Sequence, residues 1–95
     1  MSGSDAGTDA AVADHGRPVR VTVYSKPGCH LCEDAVAVVA RVTDDLGVGW
    51  TEVDISTDDA LLAQWWEQIP VIFVDDVQHD YWRVDEARLR AALAR

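Results

Sequence analysis

Apolar residues in the first half of the chain follow a strand pattern and then a helix pattern. Residues 19–24 are mostly β-branched or aromatic, as in a buried strand, and the turn after them contains Pro27 and Gly28. Apolar side chains then recur with helical spacing up to Leu46, which predicts an amphipathic helix that Gly47 ends. The stripe predicted to face a sheet consists of Leu31, Ala35, Val38, Val39, Val42 and Leu46.

The middle of the chain predicts a second strand and a second helix. Residues 50–55 alternate in part between apolar and polar positions, which indicates a strand. Ser56, with a carboxylate three residues later at Asp59, is a variant of the capping box and predicts a helix N-terminus. This helix is expected to run to about Trp66, before Ile69-Pro70 breaks the chain.

The last third of the chain predicts a hairpin and a final helix. Residues 71–74 and 77–82 are short strand candidates on either side of an Asp75-Asp76 turn, and Asp85 can cap a helix over residues 86–94. The element order is therefore β-α-β-α-β-β-α. A strand–helix–strand start predicts a parallel pair with a right-handed crossover, and the hairpin adds two antiparallel strands. These elements predict an α/β domain with a thioredoxin-like fold, in which a four-stranded mixed sheet packs with three helices.

Composition divides the chain into residues 1–18, predicted to be a disordered tail, and one domain over residues 19–95. The first sixteen residues are mostly Ala, Gly, Ser, Thr and Asp without an apolar period, so they cannot bury enough surface to offset chain entropy. The tail lacks the basic and apolar regions of a secretory signal, and no run reaches the roughly 18 apolar residues of a membrane span. We therefore expect a soluble cytoplasmic protein that does not bind a membrane.

The charge of the chain argues against a nucleic-acid partner. The formal net charge is −9, and Lys26 is the only lysine beside seven arginines. Binding to phosphates requires clustered Lys and Arg that release counterions. The acidity is expected to keep a small protein soluble, and we expect a monomer without a cofactor.

Two cysteines, Cys29 and Cys32, lie where the strand pattern gives way to the helix pattern. Backbone N–H groups without intrahelical partners point toward a residue at a helix start, together with the positive end of the helix dipole. Such a place favours the thiolate, which is the species that attacks disulfides and binds metals. A disulfide across this short gap would constrain the unfolded chain very little, so a structural role is disfavoured. The pair is predicted to be a redox site.

The surroundings of this pair resemble those of glutaredoxins. Val23-Tyr24-Ser25-Lys26-Pro27-Gly28-Cys29, followed by Cys32, is similar to their active-site entry, and Ile69-Pro70-Val71 is similar to the proline that precedes their third strand. The resemblance spans residues 19–95. It implies that the Ile69-Pro70 bond is cis and that the Ile69 backbone can pair with a substrate in strand-like fashion.

Each cysteine has an expected role in this interpretation. Cys29 is the candidate attacking thiol, and Cys32, one helical turn later, is the candidate resolving thiol that releases the product. Lys26 and His30 add positive or polar character that favours the thiolate, or they are simply solvated surface residues.

The chain also departs from glutaredoxins at three places. His30-Leu31 stands where they usually have Pro-Tyr, Gln68-Ile69 replaces Thr-Val, and residues 81–85 replace the Gly-Gly-x-Asp stretch that binds the glutathione carboxylate. Bulk at Tyr81-Trp82 thus takes the place of a glycine backbone, so glutathione is expected to be a poor partner. Asp85 can cap a helix or face the ammonium of a thiol ligand. Thioredoxins carry a buried acid where this chain has Val23, and no internal carboxylate is evident for proton transfer to Cys32.

Three hypotheses for the function remain open. The first is a small thiol–disulfide oxidoreductase that acts on protein disulfides or on mixed disulfides with a small thiol, and that is reduced by a reductase or a cellular thiol. Within this class, Tyr81-Trp82 is similar to the aromatic of redoxins that serve ribonucleotide reductase, although Trp82 can equally be packing. The second is a metal or iron–sulfur module, although His30, His79 and the cysteines form no recognisable ligand spacing. The third is an interaction module without turnover.

Overall fold

A computed structural model describes residues 17–94, so the tail predicted over residues 1–18 lies outside the described residues except for Arg17 and Pro18. The elements in chain order are β1 (Val19–Ser25), α1 (His30–Leu46), β2 (Gly49–Asp54), a 3₁₀ turn (Ile55–Thr57), α2 (Asp59–Trp65), β3 (Val71–Val74), β4 (Val77–Tyr81) and α3 (Glu86–Leu93). The sheet order is β2-β1-β3-β4, with β1 parallel to β2 and antiparallel to β3. The predicted thioredoxin-like α/β fold is confirmed.

Strand β1 lies inside the sheet, paired with β2 along one edge and with β3 along the other, and both of its faces are covered. Val21 and Val23 are fully buried in the larger core cluster, to which α1 and α3 also contribute. Successive strand residues point to opposite faces, and Tyr24 packs on the other side against Phe73 and Trp65, with ring centroids 4.8 and 6.0 Å away. Cys29 therefore follows the carboxyl end of a strand with neighbours on both sides.

Helix α1 follows the predicted stripe only in its middle. Ala35, Val39 and Val42 are buried, whereas Leu31 and Leu46, at the two ends of the helix, are 43% and 41% exposed. The expectation that these two leucines face the sheet is therefore wrong: in the first turn Cys32 is buried instead of Leu31, and Leu46 is the last residue of the helix. Within residues 17–94, no helix has the length and apolar character needed to cross a membrane.

The start of α2 differs from the prediction. Asp58, not Ser56, is the N-cap, and its carboxylate accepts hydrogen bonds from the N–H groups of Ala60 and Leu61 at 2.9 and 3.1 Å. The N–H and the hydroxyl of Ser56 both donate to the Asp54 carboxylate, at 2.8 and 2.6 Å. That carboxylate caps a 3₁₀ turn which delays the helix, so the Ser56 prediction is wrong.

Arg20 connects three elements at the end of the molecule that lies away from the cysteines. Its guanidinium donates to both carboxylate oxygens of Asp75, at 2.9 and 2.7 Å, and to the Leu93 carbonyl at 3.0 Å. Asp75 and Asp76 adopt positive φ values of 52° and 67° in the β3–β4 turn, which confirms the predicted turn. The start of β1, this turn and the end of α3 therefore meet at one end of the fold.

Candidate redox site

A short turn places Cys29 at the N-terminus of α1. Strand β1 ends at Ser25, and Gly28 then takes a positive φ of 79°, a conformation that glycine adopts without strain. Cys29 is the N-cap, with extended backbone angles, and its Sγ accepts a hydrogen bond from the Cys32 N–H at 3.2 Å. Hydrogen bonding and the helix dipole both favour negative charge on this sulfur.

The two cysteines form a disulfide with unequal accessibility. Their Cα atoms are 5.2 Å apart, within the range that a disulfide needs. Cys32 is only 2% exposed and packs with Ile55, Ile69 and Val71 in the smaller core cluster, whereas Cys29 is half-buried. Cys29 is therefore more accessible from solvent than Cys32.

The Ile69-Pro70 peptide bond is cis, which confirms the expectation from the resemblance. Ile69 and Pro70 are both buried, and Ile69 belongs to the same apolar cluster as Cys32. The loop before β3 is thus packed against Cys32.

Trp82 ties the end of β4 to this same loop. Its backbone N–H donates to the Pro70 carbonyl at 2.9 Å and more weakly to the Gln68 carbonyl at 3.4 Å. Its indole Nε1 donates to the Glu67 carbonyl at 2.8 Å, yet the residue is 54% exposed. The φ of 66° is unusual for a bulky residue, and these three hydrogen bonds hold the backbone in that conformation.

A groove of about 520 Å³ lies beside the disulfide, between the sheet and α1. Strand β2 supplies Glu52 and Asp54, which belong to no recognised motif of the sequence. The parallel register sets Glu52 opposite Val23 and Asp54 opposite Ser25. The period of two along paired strands could have identified them, once β2 was aligned with β1. The groove is lined by Ser25, Lys26, Pro27, Gly28, Cys29, Cys32, Glu33, Val36, Glu52 and Asp54.

The remaining candidate residues are spread over several surfaces. Lys26 lines the disulfide groove, and the His30 side chain, 94% exposed, lies 3.8 Å from the Glu33 carboxylate. Leu31 and Trp82 share a second groove of about 320 Å³ between α1 and the β4–α3 connection. Asp85 lines a third groove, of about 500 Å³, together with Trp82. Its carboxylate caps α3 by accepting a hydrogen bond from the Arg88 N–H at 3.1 Å. Among residues 17–94, no three His, Cys, Asp or Glu side chains are grouped as metal ligands.

Alkylation against pH will show whether the two reduced thiols differ as their positions suggest. The Cys29 pKa is expected to lie below the roughly 8.5 of a free thiol, within the range of about 3.5–7.5 known for helix-start cysteines. The nearby Glu33 carboxylate opposes this shift, but the Cys32 N–H contacts the sulfur directly. The experiment compares iodoacetamide rates of the Cys32→Ser and Cys29→Ser variants. Faster alkylation at lower pH of Cys32 would contradict the assignment.

Comparisons with known proteins agree with this geometry. The family model of the "Glutaredoxin-like domain (DUF836)" matches residues 20–94. An uncharacterized protein of Mycobacterium tuberculosis is 31% identical over 81 residues, which cover 80% of this chain and 84% of that protein.

Solved structures show the same relationship. An X-ray structure of the structural genomics target protein XcR50 from X. campestris has a TM-score of 0.65 at 31% identity, covering 78% of this chain and 95% of that one. The NMR structure of Ne2328 from Nitrosomonas europaea also scores 0.65, at 24% identity, and covers 82% of this chain and 94% of that one. Fasciola hepatica thioredoxin shares the fold, with a TM-score of 0.54 at 19% identity over 83% of this chain and 80% of that one. Because the family model spans nearly all of the described residues, the chain belongs to the glutaredoxin-like domain family.

Proposed function

We propose that this protein is a small cytoplasmic thiol–disulfide oxidoreductase that uses the Cys29/Cys32 dithiol. The observation that carries the proposal is the arrangement of the pair, with one sulfur at a helix N-terminus in a groove and its partner buried one turn later. A purely structural disulfide of this spacing would add little stability. The arrangement suits two thiols with different tasks.

The proposed reaction begins with attack of the Cys29 thiolate on a substrate disulfide. A Cys29 mixed disulfide forms, and the first substrate thiolate leaves and takes up a proton. Cys32 then loses its proton and attacks the Cys29 sulfur, which breaks the mixed disulfide and expels the second substrate thiolate. The two electrons that reduce the substrate come from the two cysteine thiols, which end as the disulfide.

Several surface groups are proposed to contact the substrate during this exchange. The Ile69 backbone can pair with an extended peptide beside the sulfurs, because the Ile69-Pro70 loop packs against Cys32. Leu31 and Trp82 offer exposed apolar surface on one side of the site, and Lys26 and His30 offer polar contacts at the helix start. Asp85 can still attract an ammonium group, although the capping of α3 occupies one of its oxygens.

The test is reduction of insulin and of a glutathione mixed disulfide by the purified full chain. Separate reactions receive thioredoxin reductase with NADPH, glutathione with its reductase, or another small thiol as electron donor. We expect catalysed reduction with at least one donor, well above the rate without protein. Absence of turnover with every donor, together with stoichiometric zinc or visible absorbance, would instead support a metal-binding module.

A further inference from the structure

Most arginines of the described residues are engaged with carboxylates away from the disulfide groove. Hydrogen bonds from Arg20 lower the pKa of Asp75, and those from Arg41 and Arg90 lower the pKa of Glu86. The pairs within 4 Å are Arg17–Asp44, Arg20–Asp75, Arg41–Glu86, Arg88–Asp80, Arg90–Asp45 and Arg90–Glu86. None of these residues lines the groove beside the cysteines.

The carboxylates inside that groove have no such cationic partner among residues 17–94. Glu52 accepts a hydrogen bond from the hydroxyl of buried Ser25 at 2.6 Å, and Asp54 accepts one from the hydroxyl of Ser56. Among residues 17–94, Glu33 lies within 4 Å of no Lys or Arg side chain, and its one neighbour of this kind is the exposed His30 ring, at 3.8 Å. Lys26 is the one lysine of the chain, and among residues 17–94 it is the only Lys or Arg that lines the groove. The groove therefore carries three carboxylates against one ammonium.

This negative charge lies where the exchange reaction takes place. Both cysteines line the same groove as the carboxylates. The groups attached to the sulfurs of a substrate disulfide, called its arms below, therefore extend into or beside this groove when the substrate is bonded to Cys29. A surface whose charges have one sign concentrates ligands of the opposite charge and repels ligands of the same charge. A concave site strengthens this effect. The charge on a disulfide's arms should therefore alter its rate of reaction with Cys29.

We propose that this site selects disulfides whose flanking groups are positively charged, and discriminates against those with anionic arms. The inference rests on the proposed oxidoreductase function and defines its substrate class. The chemistry is the exchange described above: the two cysteine thiols reduce the substrate disulfide to two thiols, each of which receives one proton.

Three small disulfides of similar length and different charge form the test. Cystamine is a dication, hydroxyethyl disulfide is neutral, and dithiodipropionate is a dianion. The rate of oxidation of the reduced full chain by each is measured by acid quenching, alkylation and mass spectrometry. Each rate is divided by the rate with dithiothreitol, a neutral dithiol, so that intrinsic reactivity cancels. Measurements at about 0.01 M and about 1 M salt change the screening length from about 30 to about 3 Å.

At low salt, the normalised preference for cystamine over dithiodipropionate is expected to be at least about tenfold, and it should nearly vanish at high salt. Glu33→Gln/Glu52→Gln should reduce it at least about threefold, because two of the three groove carboxylates lose their charge. Glutamine at position 52 keeps an oxygen that can accept the hydrogen bond from the Ser25 hydroxyl. Glu33→Gln alone, which leaves the Ser25 contact intact, replaces the double variant if that variant does not fold.

The matched control is Asp44→Asn/Asp76→Asn, which removes the same number of charges at the far end of the fold. Asp44 is in the last turn of α1, and Asp76 is in the β3–β4 turn, where asparagine also accepts a positive φ. The control should keep the preference of the unmodified chain. The inference would be overturned if both double variants lost the preference for cystamine equally, or if the normalised rates did not depend on the charge of the disulfide. Either result would leave the oxidoreductase function intact. Failure to react with the neutral disulfide would overturn both.

Discussion

Cys29→Ser is expected to lower the rate of disulfide reduction to the uncatalysed background, whereas Cys32→Ser should trap a mixed disulfide between the protein and its substrate. The difference follows from position, because Cys29 lies at the helix start in the groove and Cys32 is 2% exposed behind it. Without Cys29 no sulfur attacks, and without Cys32 the mixed disulfide is not resolved. Turnover with insulin and intact-mass spectrometry of the quenched reaction measure the two outcomes.

Ala37→Ser is a suitable control for these substitutions. It adds a hydroxyl to an exposed position of the same helix and leaves both sulfurs in place, so activity should be unchanged. If Cys29→Ser and Cys32→Ser lose activity equally and no adduct is trapped, the pair is structural or metal-binding and the proposed roles are wrong.

Glutathione is expected to support turnover about a hundredfold less well, or worse, than the best donor tested. Two backbone donors in the stretch that replaces Gly-Gly-x-Asp are already used inside the protein. The Trp82 N–H bonds to the Pro70 carbonyl, and the Arg83 N–H bonds to the Tyr81 carbonyl. Two hydrogen bonds to a carboxylate contribute roughly 1.5–3 kcal/mol each, and about 1.4 kcal/mol corresponds to a factor of ten. Steady-state rates with each donor at matched thiol concentration provide the comparison.

Trp82→Gly tests how much the indole side chain contributes to this preference. Glycine accepts the positive φ of this residue, and the substitution removes the exposed indole from the candidate thiol site. We expect the KM for glutathione to fall in this variant. Trp66→Ala, which removes another exposed tryptophan, serves as the control and should have no such effect. Efficient turnover of the unmodified chain with glutathione would show that Trp82 does not determine the donor.

The elements of the fold were predictable because their signals are local. Residues 19–24 and 71–74 carry apolar strand patterns, and Cys29 was placed correctly at a helix start. The Ser56 prediction failed because capping depends on which acceptor wins, and the Asp54 carboxylate takes both donors of Ser56. Local sequence cannot resolve such competition between neighbouring polar groups.

The composition of the site was less predictable than its cysteines. Glu52 reaches the groove only because β2 pairs in parallel with β1, and this register joins residues far apart in sequence. The positive φ of Trp82 likewise depends on carbonyls of the loop before β3, to which its N–H groups are bonded. The sequence alone predicts the cysteine pair, but long-range pairing decides what surrounds it.

The hydrogen bond from Arg20 to the Leu93 carbonyl also bears on how this domain can be joined to others. It brings the first strand and the last helix together at the end of the sheet opposite Cys29, about 20 Å away along a strand of seven residues. A fusion partner, an affinity tag or a surface attachment at either of these elements is therefore connected far from the disulfide. Tethered copies of the domain can present their redox groove outward, with the attachment point on the opposite side.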